Sequence, residues 1–382
     1  MLPKVESKDR SAEGRLDMTK RHLEHIEIEG FKSIRQLNLE LKQLNLLIGA
    51  NGAGKSNLIS AFGLLNRIVE ERLQPAVARV GGAGKLLHNG PKHSGQIRLK
   101  AVFGANAYEA RLEYAHDDSL FFAEEDCSFQ GPSHPRPYRE PLGRGHRETR
   151  LAEVAKKKKG VARYVLDSLL SWTVYHFHDT SESAAVKRKG PIDDNERLRP
   201  DASNLAAFLL RLRERENAYY QRIVGAVRQV APFFADFRLS PDRLRPAEIQ
   251  LEWSERASDT YFDAHGLSDG TLRFICLATL LLQPRPPSLI LIDEPELGLH
   301  PYAVNQLAAL FKSAATRAQL LVATQSVTLM NQFDPEDVVV VDREDGQSTF
   351  RRISTSEVQA WTDSYALGDL WEKNVIGGRP QR

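Results

Sequence analysis

The eight residues Gly49-Ala50-Asn51-Gly52-Ala53-Gly54-Lys55-Ser56 constrain this chain more than any other stretch. They match G-x-x-x-x-G-K-[ST], a loop whose backbone N–H groups wrap around phosphate oxygens. The flanks suit that loop. Leu44, Leu46, Leu47 and Ile48 before it read as a buried strand, and Asn57-Leu58-Ile59-Ser60-Ala61-Phe62 after it read as a helix start. The glycines let the backbone turn inward at the helix N-terminus, where the dipole favours negative charge. Lys55 is placed to reach the terminal phosphates of a nucleotide such as ATP, and the Ser56 hydroxyl to hold Mg²⁺. A look-alike, Gly81-Gly82-Ala83-Gly84-Lys85, fails on three counts. Arg79 stands at the position of the first glycine, Leu86 replaces the Ser/Thr, and no apolar strand precedes it. That segment reads as a flexible loop.

With 382 residues the chain can build one large or two modest domains. Its 41% hydrophobic and 27% charged residues suit a soluble globular protein. Lys+Arg 52 against Asp+Glu 50 leaves +2, so net charge argues neither for nor against a polyanionic partner. The two cysteines, Cys127 and Cys276, match neither a zinc cluster nor a disulfide framework and suit a reducing cytoplasm. No apolar run is long enough to span a bilayer, so no membrane partner is expected.

Residues 1–20 lack apolar periodicity and read as a disordered tail; Met18 is an alternative start. Four alternating segments follow, at 25–29, 37–41, 97–103 and 108–114, the last two forming a hairpin or a small antiparallel sheet. The Leu58, Phe62, Leu65 and Ile68 spacing predicts a helix to about residue 72. Residues 127–163 turn rich in Pro, Gly and Arg. From Arg136 to Arg163 there are ten Lys/Arg, including Lys156-Lys157-Lys158-Lys159, against three Asp/Glu. That local excess fits either a solvated mobile loop or a contact to a phosphate backbone. Trp172 to Asp179 reads as a strand. Leu205 through Val230 is one long amphipathic helix or two, too short for a coiled-coil arm.

The last third supplies the other half of a site. Leu289-Ile290-Leu291-Ile292-Asp293-Glu294 is a continuous apolar strand ending in two acids, as in a parallel strand buried on both faces. Asp293 is placed to organise Mg²⁺ and Glu294 to act as general base on the attacking water. Before it, Leu267-Ser268-Asp269-Gly270 opens a helix that is apolar all round, a second anion-binding helix start. After it come Pro295-Glu296-Leu297-Gly298-Leu299-His300-Pro301 and a strand, Leu320 to Thr324, ending in Gln325-Ser326. A side chain at Gln325 can sense the terminal phosphate.

In this order the motifs resemble the ABC-type ATPase head of the RecF/SMC class. The opening Ile28-Glu29-Gly30-Phe31-Lys32-Ser33-Ile34 and the Asp293–Pro301 stretch are similar to stand-alone ATPases related to the OLD-family head. The likeness covers 22–105 and 262–345 well and the middle loosely. It implies an α/β P-loop head with a mostly parallel core sheet, an antiparallel β lobe and a helical insertion. It further implies an ATPase binding ATP through Gly49, Ala50, Asn51, Gly52, Ala53, Gly54, Lys55, Ser56 and Asn57. Ser56 and Asp293 would hold Mg²⁺, and Glu294, Gln325 and Lys55 would be catalytic. Leu267, Ser268, Asp269 and Gly270 would close on ATP held by a second subunit of a homodimer, with Gly298 and Leu299 in the loop linking the two sites. Two departures stand out. Gln325 replaces the usual switch histidine and cannot take up a positive charge, so slow turnover is expected. The glutamine of the magnesium-contacting loop is not obvious, with His178 and Asp179 the nearest candidates; His176 and His178 otherwise read as an alternating strand.

The expected division is 1–20 tail, 21–105 first half of the head, 106–261 insertion lobe, and 262–382 second half with a C-terminal docking segment from Trp361. The Asp342, Glu344 and Asp345 cluster is read as a hairpin with an Asp345-Gly346 turn rather than a nuclease site. Three functions compete. One is an ATP-driven clamp acting on double-stranded DNA or an effector protein in repair, genome maintenance or defence. Another is a slow ATP switch acting on a partner protein. The third is a transporter engine, disfavoured by the long insertion.

Overall fold

The computed structural model describes residues 22–131, 136–157, 160–256, 258, 260–362 and 365–378. The expected tail and Lys158 and Lys159 lie outside the described residues.

Strands β1 (His25–Phe31), β2 (Ile34–Glu40) and β3 (Leu44–Ile48) lead into helix α1 (Lys55–Val69) and then α2 (Leu73–Arg79). Next come β4 (Gln96–Phe103), β5 (Asn106–Tyr114), β6 (Leu120–Phe129), β7 (Tyr138–Gly143), α3 (Leu151–Lys157), α4 (Val161–Leu169) and β8 (Trp172–Tyr175). The middle holds β9 (Gly190–Pro191), α5 (Leu205–Arg215), α6 (Asn217–Val230), β10 (Phe234–Arg238), β11 (Glu248–Ile249), β12 (Glu252–Glu255) and β13 (Tyr261–Asp263). The chain closes with α7 (Asp269–Leu282), β14 (Leu289–Asp293), α8 (Pro301–Ala315), β15 (Gln319–Thr324), α9 (Val327–Met330), β16 (Val338–Glu344), β17 (Gln347–Arg352), α10 (Thr355–Thr362) and α11 (Leu367–Glu372).

Two six-stranded sheets carry the fold. The core sheet runs β17-β16-β3-β15-β14-β8, with β16, β3, β15, β14 and β8 parallel and β17 antiparallel at one edge. The other sheet, β2-β1-β4-β5-β6-β7, is antiparallel throughout. In the core strands successive residues point to opposite faces. Leu46, Ile48, Ile290, Ile292, Leu320 and Val322 join the core built with α5, α6, α7 and α8. Leu47, Leu289, Leu291, Leu321 and Ala323 join the core shared with α1, α4 and the antiparallel sheet. Burial on both faces is why these strands read as unbroken apolar runs. Helix α1 is therefore sandwiched between the sheets. Trp172 at the start of β8 fastens that layer, its ring 5.5 Å from Phe62 and 5.4 Å from Phe103.

The sheets cross the boundaries expected from the sequence. The 105/106 division falls in the β4–β5 turn, inside one hairpin of the antiparallel sheet. Strand β8, from the middle of the 106–261 lobe, is an edge strand of the core sheet, paired with β14 from Leu289↔Trp172 to Ile292↔Tyr175. Long-range pairing of this kind leaves no local trace. Within the Pro- and Arg-rich stretch after residue 127, β7 buries Glu140 and Leu142, and α3 and α4 follow. The 205–230 helix is two, breaking at Glu216. The hairpin β16–β17 turns at Asp345 and Gly346, both with positive φ. The C-terminal segment docks: Gly368 N–H donates to Asn331 Oδ1 at 2.6 Å, and Arg351 Nη2 to the Ile376 carbonyl at 2.9 Å.

Candidate active site

Strand β3 ends at Ile48, and the glycine loop delivers the chain into α1 at Lys55. Gly54 caps that helix with φ 122, a conformation side chains resist, and a Cβ there would fall 2.0 Å from Ser348 Oγ. Ser348 holds the loop from behind, donating to the Ala53 carbonyl at 2.5 Å and meeting Ser33 Oγ at 2.6 Å. Asn57 Nδ2 donates to Ser33 Oγ at 2.7 Å. Asn57, expected among the nucleotide contacts, thus fastens the β1–β2 turn to α1. Lys55 Nζ donates back to the Gly49 carbonyl at 2.6 Å and the Ala50 carbonyl at 3.1 Å. Burial lowers its pKa, against the raising pull of Glu294, Asp293 and Glu296. The charges of three carboxylates at and just past the end of β14 therefore reach the lysine of the loop, although some 240 residues separate them in the chain.

Parallel pairing brings them there. Strand β14 lies between β15 and β8, and β15 lies beside β3, so the strand ends converge. That C-terminal edge is where open α/β sheets bind ligands. Asp293 shares one cavity with Ser56, and its Oδ1 is buried without a hydrogen-bond partner among the described residues. A buried carboxylate oxygen without a donor, opposite a serine hydroxyl, fits a hard oxygen-seeking cation such as Mg²⁺. Glu294 sits at φ 41, rare for a side-chain residue, while its N–H still extends the ladder to the Ala323 carbonyl at 2.8 Å. Gln325 Nε2 donates to Glu294 Oε1 and, at 2.6 Å, to Asn51 Oδ1. The switch position thus bridges the expected base and the phosphate loop.

Several residues at the site escape sequence reasoning. Glu296 accepts from Thr324 Oγ1 at 2.5 Å and from the Gln325 N–H at 3.1 Å. Burial raises its pKa, and Oε2 has no hydrogen-bond partner among the described residues. His176, not His178 or Asp179, lines the cavity with Ser56 and Asp293. The register explains it: Tyr175 pairs with Ile292, so the next residue of each strand meets the same space. Burial lowers the His176 pKa, as does His178, while Asp293 raises it. Asp179 instead accepts from Ser181 N–H and Oγ at 3.1 and 2.6 Å, closing a turn. No side-chain periodicity marks the end of a four-residue edge strand.

Ser268 caps α7, its Oγ accepting from the Thr271 N–H at 3.2 Å. A Cβ on Gly270 would lie 2.3 Å from the Gly298 carbonyl oxygen, so only glycine lets the loop after β14 pack on this helix start. One turn on, Arg273 is 4% exposed. Its Nε donates to the Phe177 carbonyl at 2.9 Å and its Nη2 to the His178 carbonyl at 3.1 Å. Arg273 thereby joins the helix carrying Leu267, Ser268, Asp269 and Gly270 to the segment after β8. Among the described residues no hydrogen bond or ion pair joins 267–270 to the phosphate loop. His300 caps α8, its Nδ1 accepting from the Tyr302 N–H at 3.2 Å, ahead of Pro301.

The look-alike at 81–85 is a short helical turn whose amides are spoken for. Ala83 N–H donates to the Asp118 carbonyl at 2.9 Å and Gly84 N–H to Asp118 Oδ1 at 2.8 Å. In the basic stretch, Arg144 pairs with Glu124 at 3.0 Å, Arg147 with Asp117 at 2.7 Å, Lys157 with Glu153 at 2.5 Å and Arg163 with Asp167 at 3.2 Å. Four of the ten basic residues of the stretch are thus paired with acids among the described residues.

Residues 44–331 match a family described as "AAA domain, putative AbiEii toxin, Type IV TA system". The chain belongs to that family. The P-loop ATPase match spans the glycine loop, Asp293, Glu294 and Gln325. Among solved structures, an SmcHead bound to the C-winged helix domain of ScpA aligns with TM-score 0.58 and 17% identity, over 88% of this chain and 99% of that one. The Smc head domain with an extended coiled coil, bound to the C-terminal domain of ScpA derived from Pyrococcus furiosus, aligns with TM-score 0.57 and 15% identity, over 90% and 98%. These likenesses establish an SMC-head fold. "Uncharacterized protein YbjD" of Escherichia coli (strain K12) is 54% identical over 43 residues, 11% of this chain and 8% of that protein. The chain thus matches less than a tenth of that relative's length. Membership in a P-loop ATPase family implies nucleotide binding and, typically, Mg²⁺. Among the described residues no helix is long and apolar enough to cross a membrane.

Proposed function

We propose that this P-loop ATPase binds ATP on the Gly49–Asn57 loop and hydrolyses it with Glu294 as general base. Lys55, freed from the Gly49 and Ala50 carbonyls, would neutralise the terminal phosphates, and Ser56 and Asp293 would hold Mg²⁺. Bound there, the cation would neutralise charge developing on the transferred phosphoryl group. The observation that carries the proposal is the Asn51–Gln325–Glu294 chain of hydrogen bonds. It ties the phosphate loop to Glu294, the carboxylate that would polarise the attacking water. Two chains would close on ATP through Leu267, Ser268, Asp269 and Gly270, which no hydrogen bond or ion pair among the described residues joins to the phosphate loop. The closed pair would act on double-stranded DNA or an effector protein, in genome maintenance, DNA repair or defence. The SMC heads found with a ScpA winged-helix domain support a protein partner.

A second reading, a slow ATP switch acting on a partner, has one observation in its favour. Gln325 already occupies the Glu294 carboxylate, and an amide, unlike imidazole, cannot take up a positive charge toward the terminal phosphate. The deciding experiment is ATP turnover by the purified chain with and without double-stranded DNA, with Glu294→Gln as blank. General-base catalysis predicts a loss of about 10²–10⁴-fold in the variant. DNA stimulation absent from the blank supports the clamp. Equal turnover in wild type and variant removes Glu294 as base, and turnover indifferent to DNA favours the switch.

A further inference from the structure

The cavity that holds Ser56 and Asp293 does not end at the phosphate site. It extends along α1 to a volume of about 530 Å³. Ser56, Ser60 and Leu64, with Ile59, Gly63 and Arg67, line it as neighbouring rows on one helix face. From Ser56 to Arg67 that face is about 16 Å long at 1.5 Å per residue. Phe31, Leu86, Val174 and Pro75 make the rest of its wall apolar. The far rim carries three guanidinium groups, Arg67, Arg72 and Arg79. Arg67 pairs with Glu70 at 2.7 Å; Arg72 and Arg79 have no side-chain partner among the described residues.

Gly63 adds an independent observation. It lies in the interior of α1, where glycine is a poor helix former. A close neighbour usually demands such a glycine, yet a Cβ built on Gly63 meets no heavy atom within 4 Å. Gly63 lines the cavity, and a side chain there would project into that open space.

We propose that this cavity binds a small organic anion with an apolar body, its carboxylate or phosphate held by Arg72 and Arg79 and its other end against Ser56, His176 and Asp293. The volume is that of a small-molecule pocket, and guanidinium forks match carboxylate and phosphate geometry. Through its inner end the ligand controls ATP turnover, a clause that rests on the function proposed above.

The test uses the full chain without nucleotide and two fluorescent probes of nearly equal shape, anionic 8-anilinonaphthalene-1-sulfonate and neutral N-phenyl-1-naphthylamine. Wild type is expected to bind one equivalent of the anion about tenfold tighter than the neutral probe. Gly63→Leu fills the cavity with a better helix former and is expected to lose both probes by at least about tenfold. The exposed double variant Arg72→Glu/Arg79→Glu is expected to keep the neutral probe and lose the preference for the anion. Equal binding by wild type and Gly63→Leu, or an anion preference that survives the double variant, overturns the site. For the coupling, the anion is expected to change ATP turnover at least about threefold in wild type and not in Gly63→Leu. Binding without any change in turnover overturns the coupling alone. A chain that neither binds nor hydrolyses ATP overturns the reading beneath it, and the nucleotide-free binding results still decide the pocket.

Discussion

Replacing Arg273 by methionine tests whether the 267–270 helix and the segment after β8 are held as one unit. The guanidinium donates to the Phe177 and His178 carbonyls at 2.9 and 3.1 Å. Hydrogen bonds from a charged donor are worth about 1.5–3 kcal/mol each, so the gross loss is about 3–6 kcal/mol. Methionine also relieves a cost. The guanidinium is buried, and that desolvation lowers its pKa despite the raising influence of Asp269. Subtracting that relief leaves a net destabilisation of about 2–4 kcal/mol. Arg273→Lys keeps a charge of similar reach, but an ammonium lacks the planar fork that spans two carbonyls, so about half the loss should return. Urea unfolding followed by tryptophan fluorescence and by circular dichroism measures both variants. Expected is a lowered midpoint at constant slope, ordered wild type, Lys, Met. A loss below about 0.5 kcal/mol in the methionine variant, or a lysine variant no better than it, would mean the carbonyls are satisfied by water and the clamp is unimportant.

Lys55→Ala should weaken nucleotide binding by roughly 100-fold or more, since a charge-assisted contact to phosphate is lost; unchanged affinity in a calorimetric titration would remove the site. Glu296→Gln should change the pH dependence of stability. The folded pKa of Glu296 is raised above its ordinary 4.5 by burial. The folded state therefore binds that proton more tightly, and the associated stability is present below the unfolded pKa and lost as pH rises through the folded value. Melting curves from pH 4 upward should show wild type losing ground to the glutamine variant and then running parallel to it; parallel curves throughout would place the carboxylate in water.

Short-range pattern already contained the phosphate loop, the acidic end of β14 and the capped start of α7. Each is a contiguous run whose neighbours, strand before and helix after, are dictated by local periodicity and turn chemistry. The β16–β17 hairpin was legible for the same reason, since Asp345-Gly346 alone sets its turn. What the linear chain could not reveal is which runs share an edge. Strand β8 is four residues long and pairs with a strand more than 100 residues away. Only that pairing puts His176, rather than His178 or Asp179, beside Ser56 and Asp293. Glu296 read as part of a turn, and only packing under Thr324 and Gln325 buries it against the site. Asn57 follows the motif in sequence, and only the fold brings its side-chain amide to the turn at Ser33. Local sequence determined the parts because hydrogen bonding and burial within a strand or a helix are near-neighbour affairs. Tertiary structure decided their company, because the order of strands in a sheet is set by which apolar faces can be buried together.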